Sequence, residues 1–569
     1  MRRAIGAGGV VIRIVVIGNG MAGTRLVQEL RRHDPGRDLR ITVVGAEVDA
    51  GYNRVLLSQV LAGALDVDEI GLTAPSWYTA ENVTLLTGRA ATWIDRDGRL
   101  VGLADGTVLP YDVLVLATGS RPWIPPIPGV AAGAHDPAGA TTGPASTANA
   151  PAALQCTPLG SAGVERGEGA ESSEGAESGA GVGGSTGRDR ADESASFRCA
   201  LQSDGDVLGL APGVTAFRTL ADCRTIIERL ASVRRAVVLG GGLLGLEAAR
   251  GLAGRGIDVE IVHPVDWLME RQLDAEAGRV LARTLRDLGV RTRLGVGAAE
   301  YVPGPDRTLV LSDGTRLPAD LVVLSCGVRP DTELAAAAGL PVERGIVVDD
   351  RLRSPADPAV YAIGECAQHA GEVYGLVAPA WEQAAVLARV LTGGDDRYQG
   401  SRVVTRLKAA DVDLAAMGDT HADDEDDSAE IVRFHDPSRG SYQKVVIRDG
   451  RLAGAIVVGE STTVGTITQL FDRATPVPRD RRALFFAGAA ADSTDDPSRL
   501  PDRVTICRCN GVTKGAIASA WQQGARSVAE IADRTRATTG CGSCRQSVEG
   551  IVDWLTAADP TAHPEEVAV

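Results

Sequence analysis

The sequence predicts an α/β protein of several domains, on three observations. A strand, a glycine-rich turn and a helix follow one another near the start of the chain and again about 220 residues later. Short β runs with glycine turns come next, and four of the nine cysteines then gather between residues 507 and 544. At roughly 100 to 200 residues per domain, the 569 residues suggest about four domains. A hydrophobic fraction of 44% is ample for conventional buried cores.

Taken in chain order, the first element is a strand. Arg2 and Arg3 before an apolar segment mimic a secretion signal, but Arg13 interrupts that segment and Gly18-Asn19-Gly20 follows in place of a cleavage site. No apolar run approaches the roughly 18 residues of a spanning helix. The expectation is a cytoplasmic protein, where thiols stay reduced. Ile12 to Ile17 is the β-branched run, Gly18-Asn19-Gly20-Met21-Ala22-Gly23 the turn, and a helical pattern extends through Leu30. Leu39 to Val44 reads as a second strand ending near Glu47, and Tyr111 to Leu116 as another that leads into Ala117-Thr118-Gly119-Ser120.

Between residues 130 and 212 the composition turns to Ala, Gly, Ser, Thr and Glu. Such a stretch buries too little apolar surface to offset its ordering entropy, which predicts a disordered insertion. Order resumes near Val214. Ala236 to Leu239 then leads to Gly240-Gly241-Gly242-Leu243-Leu244-Gly245, with Glu247 and a helix behind it. Leu321 to Leu324 opens into Gly327-Val328-Arg329-Pro330, and Val360 to Ile363 into Gly364-Glu365. Ligands of open α/β sheets sit at such strand ends. Residues 401–488 predict a small α+β domain whose acidic run, Asp423 to Asp427, is a solvated turn. A polar, proline-bearing linker covers 489–503, and 504–557 form a compact last unit.

Lys and Arg number 58 against 74 Asp and Glu, a net charge of −16. That balance lacks the basic footprint of a nucleic-acid binder and repels anionic membranes.

The glycine spacing has a physical reason. The first glycine makes the tight turn, the second lets backbone approach a pyrophosphate, and the third lets the helix pack on the strand. Gly18, Gly20 and Gly23 meet that need, and so do Gly240, Gly242 and Gly245. Two Rossmann-like dinucleotide sites on one chain imply hydride passing between them. Glu47 stands where a carboxylate accepts hydrogen bonds from ribose hydroxyls. At the equivalent place in the second unit the strand Val259 to Val262 ends in His263-Pro264. An acid there favours NAD and an arginine NADP; with neither present, NADH against NADPH stays open, the missing arginine leaning to NADH.

Cys507-Arg508-Cys509 and Cys541-Gly542-Ser543-Cys544 supply four thiolates in two close pairs. Such a set suits a tetrahedral zinc or an iron–sulfur cluster, and the spacing alone leaves both open. A flavin on the same chain tips the choice to [2Fe-2S], since a one-electron centre can carry onward what a flavin releases singly. Elsewhere Cys156 and Cys199 fall in the insertion, Cys223 on a helix, Cys326 at a strand end and Cys366 after Gly364-Glu365. They read as small buried hydrophobes, with a redox role the rival for Cys366. No cysteine lies between residues 1 and 155, so no flavin-coupled CxxxxC disulfide follows the first unit.

These motifs together resemble a known family. GNGMAG, the run Gly51 to Ser58, YDVLVLATGSRP, VVLGGGLLGLEAARGL, Leu268 to Asp274, CGVRPDTELA, YAIGECAQH and YGLVAPAWEQA are similar to the FAD and iron–sulfur reductase portion of assimilatory nitrite reductase large subunits. They are equally similar to the electron-transfer subunit of assimilatory nitrate reductases. CRCNGVTKG and TTGCGSC resemble a bacterioferritin-associated-ferredoxin (BFD) type domain. The resemblance implies two nucleotide-binding Rossmann-like (three-layer ββα) domains, a small α+β domain and a C-terminal helical BFD-like [2Fe-2S] domain. Residues 11–129 and 333–400 would bind FAD, 213–332 NADH or NADPH, 401–488 form a reductase C-terminal-like domain, and 504–557 hold the cluster.

By the same resemblance, Gly18, Gly20, Met21, Ala22 and Gly23 cradle the FAD pyrophosphate, with Glu47 on its ribose. Arg54, Thr118 and Gly119 lie near the FAD, and Gly364 and Glu365 hold its ribityl chain. Gly240, Gly242, Gly245 and Glu247 form the nicotinamide site, and Cys507, Cys509, Cys541 and Cys544 ligate the [2Fe-2S] cluster. No protein group is assigned as catalytic, because catalysis would rest on positioning two cofactors. The sequence stops at Val569, about where nitrite reductase large subunits continue into a sirohaem and [4Fe-4S] domain. The expectation is therefore electron delivery to a separate nitrate or nitrite reductase catalytic subunit, with homodimerisation left open. An NADH:ferredoxin or rubredoxin-type reductase with another acceptor, and a non-enzymatic redox-sensing or iron-handling module, are the alternatives.

Overall fold

Five parallel strands form the first sheet of the computed structural model, in the order Val360–Ala362, Val113–Leu116, Ile12–Ile17, Leu39–Val44, Val83–Leu86. The model describes residues 11–131, 209–486 and 500–558, apart from 408, 410–411, 460–462, 508–509, 539–543 and the side chain of 546. Parallel strands buried on both faces need near-continuous apolar runs, which IRIVVI and VLVL supply. Helix Met21–His33 covers one face together with helix Val377–Leu391. An antiparallel meander, Ala91–Asp95, Leu100–Leu103 and Val108–Pro110, makes the third layer. The first helix runs one turn past the apolar pattern. Arg31 is buried and donates to Asp34 at 2.9 Å, a polar continuation that hydrophobic periodicity does not register.

The second sheet repeats the plan, in the order Val290–Leu294, Asp258–His263, Arg235–Leu239, Leu321–Leu324, Val214–Ala216, again all parallel. Its own meander is Ala298–Val302, Thr308–Leu311 and Arg316–Pro318. Ser120–Pro122 pairs antiparallel with Val328–Pro330 and joins the two units. Burial of side chains such as Leu26, Ile41, Leu114, Val238 and Leu321 contributes about 1.5–3 kcal/mol each.

Val130, Leu210 and Ala211, inside the insertion expected from composition, pack with Tyr301 in the core of the second unit, and Ala131 bridges to Leu210. A few apolar residues at the edge of a biased segment suffice to anchor it. The rest of that stretch, residues 132–208 with Cys156 and Cys199, lies outside the described residues.

Residues from Val404 to Arg473 form a five-stranded antiparallel sheet with helix Val464–Arg473 packed on it. Its acidic turn is tied down at two points, Asp424 to Arg433 and Asp426 to Arg448, both 2.6 Å. Most of the expected linker lies outside the described residues. A hairpin, Thr505–Cys507 with Val512–Thr513, then precedes helices Lys514–Gln522, Val528–Thr535 and Arg545–Ala558. No helix among the described residues is long and apolar enough to cross a membrane.

Candidate functional site

The two glycine turns are near copies in atomic detail. Gly18 has φ +112°, and a Cβ on it would lie 2.1 Å from the Ala117 oxygen. Gly240 has φ +116°, and its Cβ would lie 2.3 Å from the Ser325 oxygen. A Cβ on Gly23 would come within 2.0 Å of the Gly18 oxygen, and one on Gly245 within 2.1 Å of the Gly240 oxygen. At Gly20 and Gly242, by contrast, nothing lies within 4 Å. The first and third glycines are thus fixed by the fold, while the second faces open space.

Gly20 and Gly242 are also the N-caps of the two helices. Neither end has a side-chain cap or an acidic residue in its first turn. Free N–H groups and the helix dipole at such an end favour an anion.

A cavity of about 1640 Å³ opens in front of the first turn. Gly18, Gly20, Met21, Ala22, Glu47, Arg54, Thr118, Gly119, Gly364 and Glu365 all line it. So do Leu243, Leu244 and Glu247 from the second helix, and Cys544 and Arg545 from the last domain. The buried Asn19 Nδ2, Arg25 Nε and Arg218 Nε have no protein partner, and all three residues line the cavity. Buried polar groups are normally satisfied, so these orphans fit a polar ligand with a phosphate and hydroxyls, and the glycine cradle fits its pyrophosphate.

The carboxylates of Glu47 and Glu365 are both engaged. Glu47 accepts from Tyr52 Oη at 2.7 Å and pairs with Arg54. An ionised carboxylate has lone pairs left for ribose hydroxyls. Burial, then the carboxylate of Glu47, hold the Tyr52 phenol above its ordinary range. Glu365 accepts from Ser120 Oγ at 2.6 Å and pairs with Arg218. The Gly364 N–H donates to Gln383 Oε1 at 2.7 Å, at φ +81°. Thr118 Oγ1 donates to the Asp331 carbonyl at 2.7 Å, and the Asp331 N–H to the Gly119 carbonyl at 2.9 Å. Sequence reasoning missed Arg218, Asp331 and Trp381. Arg218 has no local motif, and only the closure of the sheets brings it to Glu365.

In the second unit, His263 takes the strand-end position. The Gly241 N–H donates to its Nδ1 at 3.1 Å, and its Nε2 meets Glu270 at 3.1 Å. Glu247 is buried in the helix behind the turn.

Cys507 and Cys544 are both buried in one core with Val512, Ile517, Trp521, Val548 and Ile551. Cys509 and Cys541 lie outside the described residues, so the structure places two of the four expected ligands. Two buried thiols sharing one core fit a sulfur-ligated centre. Cys366 instead lies fully buried against the Leu116 and Ile363 carbonyls, and burial pushes its thiol up. That is the environment of an inert core cysteine rather than a redox one.

Trp381 ties the regions together. Its Nε1 donates to the Met21 carbonyl at 3.2 Å, and a Cβ on Gly511 would lie 2.6 Å from its ring.

Residues 12–150 and 197–384 match the family model described as pyridine nucleotide-disulphide oxidoreductase. Residues 404–475 match the rubredoxin NAD+ reductase C-terminal domain, and 505–554 the BFD-like [2Fe-2S] binding domain. Over 98% of its length the chain is 34% identical to the nitrite reductase [NAD(P)H] of Bacillus subtilis (strain 168), covering 59% of that protein. Over 96% it is 32% identical to the assimilatory nitrate reductase electron transfer subunit of the same organism, covering 60% of it. It thus spans little more than half the length of these relatives. The solved covalent putidaredoxin reductase–putidaredoxin complex aligns at 25% identity and TM-score 0.63, covering 83% of this chain and 95% of that one.

Proposed function

The chain belongs to the pyridine nucleotide-disulphide oxidoreductase family, and from that premise we propose that it is a cytoplasmic NAD(P)H-oxidising flavoprotein. It delivers electrons through FAD and a [2Fe-2S] cluster to a separate catalytic subunit that reduces nitrate or nitrite. One observation carries the reading. A single cavity is lined by the first glycine turn, by the opening of the second glycine helix and by Cys544 of the last domain.

Residues 11–129 and 333–400 hold the FAD, residues 213–332 the nicotinamide nucleotide, and the unit 504–557 the cluster. When bound, the flavin and the cluster together convert delivery of an electron pair into one-electron steps. The chain supplies position. Gly20 and the N–H groups behind it receive the pyrophosphate, and Glu47 the ribose. Arg54 fixes the Glu47 carboxylate. Ser120 and Arg218 fix Glu365 against the ribityl hydroxyls. Cys507, Cys509, Cys541 and Cys544 hold the iron. Leu243 and Leu244, at the cavity wall, exclude water where the two nucleotides meet.

The test is an anaerobic titration of the purified protein with NADH, followed by absorbance and paramagnetic resonance. Bleaching of flavin bands with growth of a reduced-cluster signal is the expected result. A yellow protein that bleaches without any iron signal overturns the electron route.

A second reading, an NADH:rubredoxin-type or ferredoxin-type reductase with another acceptor, draws on the match of residues 404–475. Steady-state turnover with rubredoxin or ferredoxin, compared with a nitrate or nitrite reductase catalytic subunit, separates the two.

A further inference from the structure

In the second nucleotide unit the strand Asp258–His263 ends without the acid that would receive the adenosine ribose of a dinucleotide. His263 fills the position and is turned inward. Its Nδ1 accepts the Gly241 N–H at 3.1 Å, so in that pairing Nδ1 carries no proton and Nε2 faces Glu270 as the donor, also at 3.1 Å. The segment bearing Glu270 is fastened to the same glycine turn. Met269 donates its N–H to the Gly241 carbonyl at 2.9 Å and adopts φ +55°, a left-handed conformation that is costly for methionine. A Cβ on Gly241 would lie 2.7 Å from Leu268 and 2.8 Å from His263. Backbone strain, a close-packed glycine and a buried histidine thus converge on placing one carboxylate beside the turn.

We propose that Glu270, positioned by His263, replaces the missing strand-end acid. It accepts the hydroxyls of the adenosine ribose and so selects NADH over NADPH. The assignment rests on the reading of residues 213–332 as the nicotinamide nucleotide domain. The Glu270 side chain is 32% exposed while that of His263 is 7% exposed, so the carboxylate is reachable and its orienter is not. The hydrogen bond from His263 holds the Glu270 carboxyl below its ordinary range. An ionised carboxylate accepts two ribose hydroxyls and repels a 2′-phosphate. Arg271, the next residue, is exposed and is the group a competing, NADPH-selecting site would use.

The experiment measures KM for NADH and NADPH in dye reduction by the full chain. In parallel, calorimetric Kd values for NAD+ and NADP+ give a readout independent of turnover. Glu270→Gln should raise the NADH KM and the NAD+ Kd about tenfold, the loss expected of hydrogen bonds to a charged group, with kcat unchanged. Glu270→Arg should invert the preference toward NADPH, and Glu270→Asp should recover part of the NADH preference. An NADH-to-NADPH ratio unchanged in both Glu270→Gln and Glu270→Arg overturns the proposal, as does a ratio that shifts only in Arg271→Ala. A wild-type chain that binds neither dinucleotide overturns the domain reading beneath it, a result distinct from a wild type that prefers NADH and variants that keep the preference.

Discussion

Asn53 Nδ2 donates to Asn510 Oδ1 at 3.0 Å, across 457 positions of sequence. Asn53 is fully buried, and its Oδ1 also accepts the Val55 N–H at 3.1 Å, which caps the turn bearing Arg54. Asn510 Nδ2 donates to the Arg536 carbonyl at 2.6 Å, and the Arg536 guanidinium reaches the Glu69 and Gly71 carbonyls, each at 2.6 Å. The loop between the first two expected iron ligands and Val512 is therefore seated on the wall of the large cavity.

Asn510→Ala should loosen that seat. Losing a hydrogen bond of about 1 kcal/mol lowers the docked fraction's equilibrium constant about fivefold. Rapid mixing with NADH should show flavin bleaching at the wild-type rate and slower growth of the cluster signal. Equal cluster kinetics in both proteins would show that the contact does not govern transfer.

The glycine turn offers a paired contrast. Gly23→Ala places a Cβ within 2.0 Å of a carbonyl and should destabilise the fold by about 1–3 kcal/mol, measured by urea unfolding. Gly20→Ala meets open space, so the apoprotein should unfold at the wild-type midpoint and yet bind FAD more weakly. Matching losses in apoprotein stability for both variants would refute the division of labour.

Asp274 links the second unit to the small sheet. It accepts from Tyr442 Oη at 2.7 Å and from the buried Lys444 Nζ at 3.1 Å. Asp274→Ala leaves the ammonium with only the Thr420 carbonyl, at 3.0 Å. Removing one member of a buried pair costs about 3–5 kcal/mol. Chemical denaturation should show a loss of that order, and the double variant Asp274→Ala with Lys444→Met should recover much of it.

Burial pushes the Cys223 thiol from 9.0 up to about 12, and the Cys326 thiol from 9.0 up to about 11. Because the folded values lie above the unfolded one, this contribution to stability is complete below about pH 9 and is lost as pH rises through the folded values. Stability should therefore decline between the ordinary value of 9.0 and about 12. Iodoacetamide at about pH 8 should spare the buried Cys223 in the native chain and modify it once the chain is unfolded. Peptide mapping that finds Cys223 alkylated in the native protein would contradict that burial.

What the sequence discloses are the features fixed by local backbone demands. Gly18, Gly23, Gly240 and Gly245 are legible because no side chain fits there, and Cys507 and Cys544 because paired thiols are rare. Arg218 against Glu365, Asn53 against Asn510 and Glu270 against His263 are not legible in the same way. The first two pairs are distant in sequence and meet only after the sheets close. The third is near in sequence, but its geometry depends on a left-handed methionine that no spacing rule announces. The edge of the insertion misleads for a related reason, since Val130 and Leu210 lie in short Gly- and Pro-interrupted runs and meet Tyr301 in one core only after the chain folds.

The strand Val360–Ala362 completes a sheet begun at Ile12, and Cys366 packs against Leu116 from 250 positions away. On the ribosome, where chains emerge from the N-terminus at about 5–20 residues per second, the first four strands of that sheet must wait through synthesis of the whole second unit for the outer one. Vitamin-derived cofactor capture is then a late event of biogenesis. A nascent polypeptide truncated before residue 360 should be a client for chaperones rather than a loaded intermediate.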